Sequence, residues 1–362
     1  MTDRAIGGKA VSFGTENLGQ RSPGKSGWRR GAPKSVAACL ILLAGSAAAA
    51  QPVLRIEPAE VTPYAKQTAA MAATLAGDRI VAVGAQGSIL LSDDAGKHFR
   101  QSRAVPIAAT LTAVSFPDPK HGWAVGNWGA ILRTQDGGET WQLQRSDLHA
   151  DIPLFGVYFR SAREGWATGL WSLLLATDDG GATWRVIKPP AEHGADRTGL
   201  NFNAIFPAGA STLLIPAEQG KVVLSTDEGG TWKVIDTGYT GSFWSGLALR
   251  DGAILVGGLR GSIYRSTDGG LTWRRVASEG RSSVTGFTQL ADGSIAASAL
   301  DGVMLRSTDD GLSFTATQRP DRAELTSVIS GDGRSLVFMS ADGPTAPQSA
   351  VPGAEPLHQA SR

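Results

Sequence analysis

The stretch STDGGLTWRRV, residues Ser266–Val276, decides the fold, because near copies of it occur six times along the chain. All six fit the pattern Ser/Thr-x-Asp-x-Gly-x-x-Trp/Phe, and their aspartates are Asp94, Asp136, Asp179, Asp227, Asp268 and Asp309. Successive aspartates are 42, 43, 48, 41 and 41 residues apart. A repeat of this length, built from short apolar runs, is typical of β-propellers and solenoids.

Each repeat contains four short apolar runs, which predict four β-strands. In residues 111–144 these runs are LTAVSF, GWAVG, AILRT and TWQLQ, separated by turn-forming residues. Four antiparallel strands of this length form one propeller blade. We therefore predict an all-β fold, a seven-bladed β-propeller of four-stranded antiparallel blades. Its inner strands should begin near Ala70, Leu111, Leu154, Phe202, Phe243, Val284 and Leu325.

The seventh repeat stops after two predicted strands, so the ring needs a closing element. The segment Val53–Tyr64, ahead of the first repeat, has the composition of a spare strand. Propellers commonly close when one terminus completes the blade begun by the other, which leaves no open edge. We predict that this N-terminal strand closes the ring as an outer strand of the last blade.

The two ends of the chain differ from the repeats. Arg29, Arg30 and Lys34 precede the apolar run VAACLILLAGSAAAA, which predicts a signal peptide cleaved near Ala50–Gln51. The protein would then be periplasmic or secreted. The predicted regions are a leader with signal peptide at 1–50, the propeller at 51–343 and a disordered tail at 344–362.

Cleavage would also change the charge of the chain and remove its one cysteine, Cys39. Residues 1–50 hold seven of the 34 Lys/Arg and two of the 33 Asp/Glu, so the remaining chain has a net charge of about −4. A mildly acidic chain is a poor binder of nucleic acid and of anionic membrane surfaces. We predict no nucleic-acid partner, no direct membrane insertion after cleavage, and a monomer.

The repeated turn has the residue types of a local folding unit. Its aspartate can accept backbone N–H bonds, its glycines allow positive φ, and its hydroxyl can add a bond within the turn. The aromatic residue opens the fourth strand and can cover the turn. In four copies that residue is a tryptophan: Trp141, Trp184, Trp232 and Trp273. We assign these residues and the six aspartates a structural role.

The motif resembles the Asp-box, or BNR repeat, of sialidases and other exported propellers. The longer phrase, G-x-I-L-R-S/T-x-D-G-G-x-T-W with GWAVG ahead of it, resembles more closely the photosystem II assembly and stability factors of cyanobacteria and plastids. The resemblance spans roughly residues 70–343. It implies a seven-bladed propeller without enzymatic activity that chaperones a membrane complex from its lumenal side.

Catalytic residues do not stand out. A sialidase needs an arginine triad and a tyrosine nucleophile, but Tyr158 and Tyr264 lie inside predicted strands and Tyr64 and Tyr239 lack the surrounding pattern. The histidines show no metal-ligand spacing. We predict no enzyme, no cofactor and no metal. The alternative function is that of a sialidase-like glycoside hydrolase or a glycan-binding propeller. A third function to consider is the binding of a small ligand in the central channel.

Candidate partner-binding residues lie on the face opposite the repeated turns. One position in the hairpin between strands two and three should form a ring around the central channel; its occupants are Gln86, Trp128, Trp171, Gln219, Arg260, Asp301 and Asp342. Exposed tryptophans beside an arginine are typical of protein-binding hot spots. The alternative is that Trp128 and Trp171 fold into their own loops.

Two further groups extend this candidate surface. The long connection KPPAEHGADRTGLNF adds His193, Asp196 and Arg197. Arg133, Arg265 and Arg306 precede the turn hydroxyl in three repeats, and the resemblance implies a basic patch for partner contact at such positions. Their alternative role is to cover the sides of the blades. The function we predict is an exported, non-catalytic scaffold that binds or assembles an envelope or membrane protein complex.

Overall fold

The computed structural model describes residues 56–188 and 199–349, which form seven antiparallel sheets. Blades one to three comprise β1 Ala70–Ala76, β2 Arg79–Gly84, β3 Ile89–Ser92 and β4 Arg100–Gln101; β5 Leu111–Ser115, β6 Gly122–Gly126, β7 Ile131–Thr134 and β8 Gln142–Arg145; and β9 Leu154–Phe159, β10 Gly165–Gly169, β11 Leu174–Thr177 and β12 Arg185–Ile187. Blades four and five comprise β13 Phe206–Pro207, β14 Leu213–Pro216, β15 Lys221–Ser225 and β16 Lys233–Asp236; and β17 Phe243–Ala248, β18 Ile254–Gly258, β19 Ile263–Ser266 and β20 Arg274–Arg275.

The last two blades depart from the simple pattern. Blade six comprises β22 Val284–Gln289, β23 Ile295–Ala299, β24 Val303–Ser307 and β25 Ser313–Gln318, with β21 Ala277–Ser278 added parallel to β25. Blade seven comprises β26 Leu325–Ile329, β27 Ser335–Ser340, β28 Gly343–Pro344 and β29 Gln348–Ser349. No α-helix occurs in the described ranges; single 3-10 turns lie at Ala65–Gln67, Ala85–Gly87, Asn127–Gly129, Leu170–Ser172 and Leu259–Gly261.

The predicted seven-bladed fold is confirmed, and six of the seven inner strands begin at the predicted residue. Blade four is the exception, because its inner strand is reduced to β13 and an isolated bridge between Phe202 and Ala217. Pro216, at the end of β14, has no N–H to donate to the ladder. The blade keeps its position because the side chain of Asn203 donates to Phe243 O of the next blade, at 2.8 Å.

Around the axis, the inner strands meet through two rings of residues that recur from blade to blade. The second residue of the inner strand is a β-bulge in six blades: Met71, Thr112, Phe155, Trp244, Thr285 and Thr326. The third is always small: Ala72, Ala113, Gly156, Ala204, Ser245, Gly286 and Ser327. Small residues are required because neighbouring backbones nearly touch there; a Cβ on Gly156 would lie 2.9 Å from Ala204 Cα.

The ring closes directly between blades seven and one. Thr326 Oγ1 donates to Ala70 O at 2.5 Å, and Ile329, Val337 and Met339 pack against Ile80 and its neighbours in one buried cluster. Thr112 and Thr285 make the same bond to the next blade, to Leu154 O and Leu325 O. Closure therefore uses the contact that also joins blades two and three and blades six and seven.

The predicted closing strand at Val53–Tyr64 is wrong for the part that the structure describes. Residues 56–64 contain no strand, and Glu57 and Ala59 hydrogen-bond to Ala108 and Val105, in the connection between blades one and two. Pro58 and Pro63 lack the N–H donors that a ladder needs. The segment instead crosses blade one as a strap, and its 3-10 turn places Ala65 in the cluster between blades one and seven.

The third strand of blade seven comes from residues that we predicted to be tail. β28 and β29 both pair with β27, one after the other, with a one-residue register change between them. Residues 344–349 thus belong to the propeller, while 350–362 lie outside the described residues. Within the described ranges, the sheet of blade seven comprises β26, β27, β28 and β29, in which β28 and β29 both pair with β27.

Candidate functional site

Each copy of the repeated turn, here called an Asp-box after the motif that it resembles, closes on itself through hydrogen bonds among its recurring polar side chains and its own backbone. In the fifth copy, Ser266 Oγ donates to Asp268 Oδ1 at 2.8 Å and accepts from Gly270 N at 2.9 Å. Asp268 also accepts from Thr272, through the backbone N–H at 2.9 Å and the hydroxyl at 2.6 Å. The polar groups of the motif are therefore engaged within the turn.

The partner four residues past the aspartate is a feature that our reading of the pattern missed. It donates to the carboxylate in all six copies, and its occupants are His98, Thr140, Thr183, Thr231, Thr272 and Ser313. The recurrence of a hydroxyl residue just before the aromatic was visible in the sequence. This hydroxyl residue could have been identified from the sequence as a second hydrogen-bond donor to the carboxylate.

The aromatic residue of the motif covers its turn. The indole N–H of Trp141, Trp232 and Trp273 donates to the carbonyl of the glycine three residues before it, at 3.0 to 3.1 Å. Trp184 is turned differently, with its ring edge-on to Phe159 at 5.8 Å between centroids. These contacts support the structural role that we assigned to the tryptophans.

The hydrogen bonds lower the pKa of the Asp-box carboxyls. In Asp179, Asp227 and Asp268, the hydroxyl of the downstream threonine is the largest cause and the pKa falls to about 2. The pKa of Asp136 is also lowered; burial opposes this shift, but the bonds from Thr140 and Thr134 outweigh it. These carboxyls are held as acceptors, which is the opposite of what a general acid requires.

We expect acid to weaken the fold through these boxes. A carboxyl whose pKa is lowered in the folded state stabilises it above the unfolded value, 3.8, and loses that contribution as the pH falls through the folded value of about 2. The urea midpoint should therefore be flat near neutrality and fall between about pH 4 and about pH 2. An NMR carboxyl titration should place Asp268 near 2, and Ser266→Ala should raise it; a midpoint near 3.8 in the parent protein would contradict this account.

Arg133, Arg265 and Arg306 lie on the Asp-box face and are partly buried. Arg265 Nε donates to Asp310 O of blade six at 3.0 Å, and Arg306 approaches Asp292 at 4.0 Å. The Arg133 guanidinium lies over the Trp123 ring, 5.5 Å from its centroid. These positions favour the alternative that the arginines join and cover the blades.

The opposite face, here called the connection face, carries the hairpins between the second and third strands. In every blade the first hairpin residue donates its N–H to the carbonyl that precedes the inner strand, as Asn127 does to Thr110 O at 2.9 Å and Leu259 to Ser242 O at 3.0 Å. These bonds hold the hairpins against the blade connections. The predicted ring residue then takes a left-handed conformation in six of the blades: Gln86, Trp128, Trp171, Gln219, Arg260 and Asp301.

The two tryptophans of this ring are partly buried. Trp128 packs against the cluster that contains Val105, Ile107 and Ala109, so it fills the gap between blades one and two. The hairpin of Trp171 is fastened to the segment after the long connection, since Trp171 N donates to Asn201 Oδ1 at 3.2 Å and Ser172 N to Leu200 O at 2.7 Å. For Trp128 this placement favours the alternative of folding into the loops.

Arg260 and Asp301 differ in how they are held. Arg260 is exposed, and only its backbone N–H has a described bond, to Ser283 Oγ at 3.4 Å. Asp301 accepts a hydrogen bond from Gln318 Nε2 at 2.9 Å. Its other described partners, Arg322 and Glu324, lie in the connection that follows blade six. Arg260 belongs to blade five, so blade four separates it from Trp171. Gln86, Gln219 and Asp342 are exposed at the same ring position.

The remaining sequence candidates on this face, His193, Asp196 and Arg197, lie outside the described residues.

Sequence reasoning missed the bulge residues Met71, Phe155 and Trp244, which are partly exposed at the inner ends of blades one, three and five. The residue types alone did not indicate a bulge at these positions, because a bulge depends on the register between two strands.

Two further features concern residues 56–188 and 199–349: metal-ligating side chains and membrane-spanning helices. No three His, Cys, Asp or Glu side chains come together as a metal site there. No described helix is long and apolar enough to cross a bilayer.

Comparison with known proteins gives one family. The model of the family described as Photosynthesis system II assembly factor YCF48 matches residues 101–252 and 147–319, together more than half of the chain. The photosystem II stability/assembly factor HCF136, chloroplastic, of Cyanidioschyzon merolae is 48% identical over 40 residues, 10% of this chain and 9% of the relative. The photosystem II assembly protein Ycf48 of Thermosynechococcus vestitus is 39% identical over 57 residues, 16% of either chain.

These matched segments cover far less than two thirds of the curated relatives. Among solved structures, YCF48 from Cyanidioschyzon merolae is similar with a TM-score of 0.58 at 15% identity, covering 80% of this chain and 96% of that one. This likeness supports the propeller fold.

Proposed function

The chain belongs to the family described as Photosynthesis system II assembly factor YCF48, and from that premise we propose that it is an exported, non-catalytic scaffold that binds a protein of an envelope or membrane complex during assembly. Its assembly-factor character comes with the family. The envelope location, the partner and the monomeric state are our predictions.

The observation that carries the proposal is a difference between the two faces: polar side chains are engaged in internal contacts on one face and exposed on the other. On the Asp-box face, the repeated carboxylates and hydroxyls bond within their own turns, Arg265 bonds to the next blade, and Arg133 and Arg306 lie against side chains of their own blades. On the connection face, one rigid position changes chemistry from blade to blade, through Gln86, Gln219, Arg260 and Asp342, all exposed. Variable side chains on a rigid scaffold are typical of recognition surfaces.

The pKa values of the acids support a binding role over glycoside hydrolysis. A glycosidase needs one carboxyl with a raised pKa as general acid. Every described Asp or Glu with a resolved shift has a lowered pKa, as Asp118, Glu139 and Asp332 illustrate. In Glu139 the hydrogen bond from Arg100 is the largest cause.

We expect the charge reversal Arg260→Glu to weaken partner capture without unfolding the protein. The residue is exposed and its side chain has no described internal partner, so the fold should be unchanged within about 0.5 kcal/mol. Capture of envelope proteins from a solubilised membrane fraction, compared with the parent by quantitative mass spectrometry, should fall at least about fivefold for the specific partner.

The matched control is Arg274→Glu, an exposed arginine in the outer strand of the same blade. It should leave capture unchanged. Equal capture by the parent protein and Arg260→Glu would remove Arg260 from the site, and equal losses in both variants would show that net charge alone controls capture.

A further inference from the structure

The residue that precedes each inner strand joins two hairpins of the connection face. In every blade its carbonyl accepts the N–H of the first hairpin residue of the same blade. In three blades its side chain also accepts the backbone N–H of the ring residue in the preceding blade. These pairs are Asn201 Oδ1 with Trp171 N at 3.2 Å, Ser283 Oγ with Arg260 N at 3.4 Å, and Glu324 Oε2 with Asp301 N at 3.1 Å.

Ser283 connects the hairpins of blades five and six. Its hydroxyl accepts from Arg260 of blade five, and its carbonyl accepts from Leu300 of blade six at 3.0 Å. Leu300 is followed directly by the ring residue Asp301. One serine therefore holds two neighbouring ring positions, the first through its side chain and the second through its backbone.

Glu324 makes the same connection between blades six and seven. Its carboxylate accepts from Asp301 N, and its carbonyl accepts from Ala341, the residue before Asp342, at 3.0 Å. Because Asp301 adjoins the residue that Ser283 holds, the two connections form one chain. The ring positions of blades five, six and seven are thus joined by hydrogen bonds from Arg260 to Asp342.

These bonds fix residues whose backbone is strained. Arg260 has a φ of 56° and a ψ of 37°, and Asp301 has a φ of 60°. Residues other than glycine are disfavoured in this left-handed region and remain in it only where the surrounding structure holds them. Each bond from the next blade holds the amide of the strained residue itself. It therefore also fixes the direction in which the side chain leaves the backbone.

The bonds occur where the ring residue is charged or aromatic. Arg260 and Asp301 are the charged members of the six left-handed ring residues, and both are held in this way, as is Trp171. By contrast, among the described residues no side chain of the following blade accepts the N–H of Gln86 or Gln219. The next blade thus fixes the ring residues that are suited to directional recognition.

We propose that Ser283 and Glu324 are positioning residues of the partner surface, which hold Arg260, Asp301 and Asp342 in one fixed arrangement. The matching partner segment presents an acidic group to Arg260 and a basic group to Asp342. A rigid surface binds such a segment more tightly than a mobile surface of the same chemistry, because less conformational entropy is lost on binding. The role in recognition rests on the proposed function, whereas the bonds between the hairpins do not.

Amide hydrogen exchange, measured by NMR on the full chain, tests the positioning without a partner. Ser283→Ala removes the acceptor of the Arg260 amide, which should then exchange at least about threefold faster. Ser283→Thr keeps a hydroxyl and should stay within about 1.5-fold of the parent rate. The Gln219 amide lacks this bond and should be unchanged in both variants. Circular dichroism establishes that each variant is folded.

Glu324 is tested in the same way at the next hairpin. Glu324→Ala removes the acceptor of the Asp301 amide, which should exchange at least about threefold faster. Glu324→Gln keeps a side-chain oxygen in that place and should remain close to the parent. Parent-like exchange at Asp301 in Glu324→Ala would overturn the assignment of Glu324.

The role in recognition is tested by capture of the specific partner from the solubilised membrane fraction. Ser283→Ala should lower capture about threefold, and Ser283→Thr should retain it. Because Ser283 acts through Arg260, the double variant Ser283→Ala/Arg260→Glu should capture as much as Arg260→Glu alone. A purely structural defect would add its own loss to that of Arg260→Glu.

Two results would overturn the proposal: an unchanged exchange rate at Arg260 in Ser283→Ala, or losses of capture that multiply in the double variant. If exchange accelerates and Arg260→Glu loses capture while Ser283→Ala keeps it, Ser283 has only a structural role and the proposed function stands. If Arg260→Glu also keeps full capture, the proposed function fails at this surface, together with the role of Ser283 in recognition.

Discussion

Replacing Trp123 by alanine is expected to lower the free energy of unfolding by about 3–5 kcal/mol. The side chain is completely buried, and its ring stacks on Phe159 with centroids 3.5 Å apart and planes inclined by 5°. Its indole N–H donates to Gln144 Oε1 at 3.1 Å and to Gly180 O at 3.2 Å. The substitution therefore removes the contact between blades two and three as well as the core volume.

Urea unfolding followed by intrinsic fluorescence and circular dichroism measures this effect. Val186→Ala, at a side chain 62% exposed in the outer strand of blade three, is the control and should change stability by less than about 0.5 kcal/mol. A loss below about 1 kcal/mol for Trp123→Ala would show that blades two and three do not depend on this stack.

Replacing Gly156 by valine is expected to destabilise the ring of inner strands by about 2–3 kcal/mol. A Cβ there would meet Thr168 Oγ1 at 2.6 Å and the backbone of Ala204 in the next blade at 2.9 Å. Backbone on the far side cannot rotate away, so the blades themselves would have to separate. Gly156→Ala should show a smaller effect in the same direction.

Thermal and urea unfolding of both variants test this packing. Ala182→Val introduces the same side chain at an exposed position in the third Asp-box and should be close to neutral. If Gly156→Val matches Ala182→Val in stability, the inner strands do not approach as closely as described.

The blade count and the inner-strand positions could be predicted from the sequence because each Asp-box marks one turn at a nearly constant distance from its neighbours. The box requires a hydroxyl, an aspartate and glycines within a few residues, so its geometry is local. The same locality explains the assignment of Trp141, Trp232 and Trp273 as covers of their own turns. Thr272 was equally visible and could have been included.

Features that depend on long-range register could not be read in this way. Val53–Tyr64 resembles a strand in composition, but its described part, residues 56–64, is a strap because of Pro58 and Pro63 and the bonds to the connection after blade one. The bulge at Trp244 exists because β17 and β18 shift by one residue, which no local pattern records. The partial burial of Trp128 depends on its packing against Val105, Ile107 and Ala109, which belong to the connection between blades one and two.

The candidate surface was located by topology and refined by packing. The alternation of turns placed the ring from Gln86 to Asp342 opposite the Asp-boxes, and the hairpin bonds in the structure lie on that side. Burial then separates Arg260, which is exposed, from Arg265, which bonds between blades. The sequence places Arg260 in a hairpin and Arg265 in a strand of the same blade, but it does not show that Arg265 Nε donates to Asp310 O of the next blade.

The most direct test of the account is photo-crosslinking from the two faces. A photoreactive residue at position 219 or 260 on the connection face, or at position 182 or 271 on the Asp-box tips, is placed in the otherwise unchanged protein and exposed to a solubilised membrane fraction. The account predicts covalent adducts with the same membrane or envelope protein from positions 219 and 260, and none with it from 182 or 271. Adducts that form from the Asp-box tips and not from the connection face would contradict it.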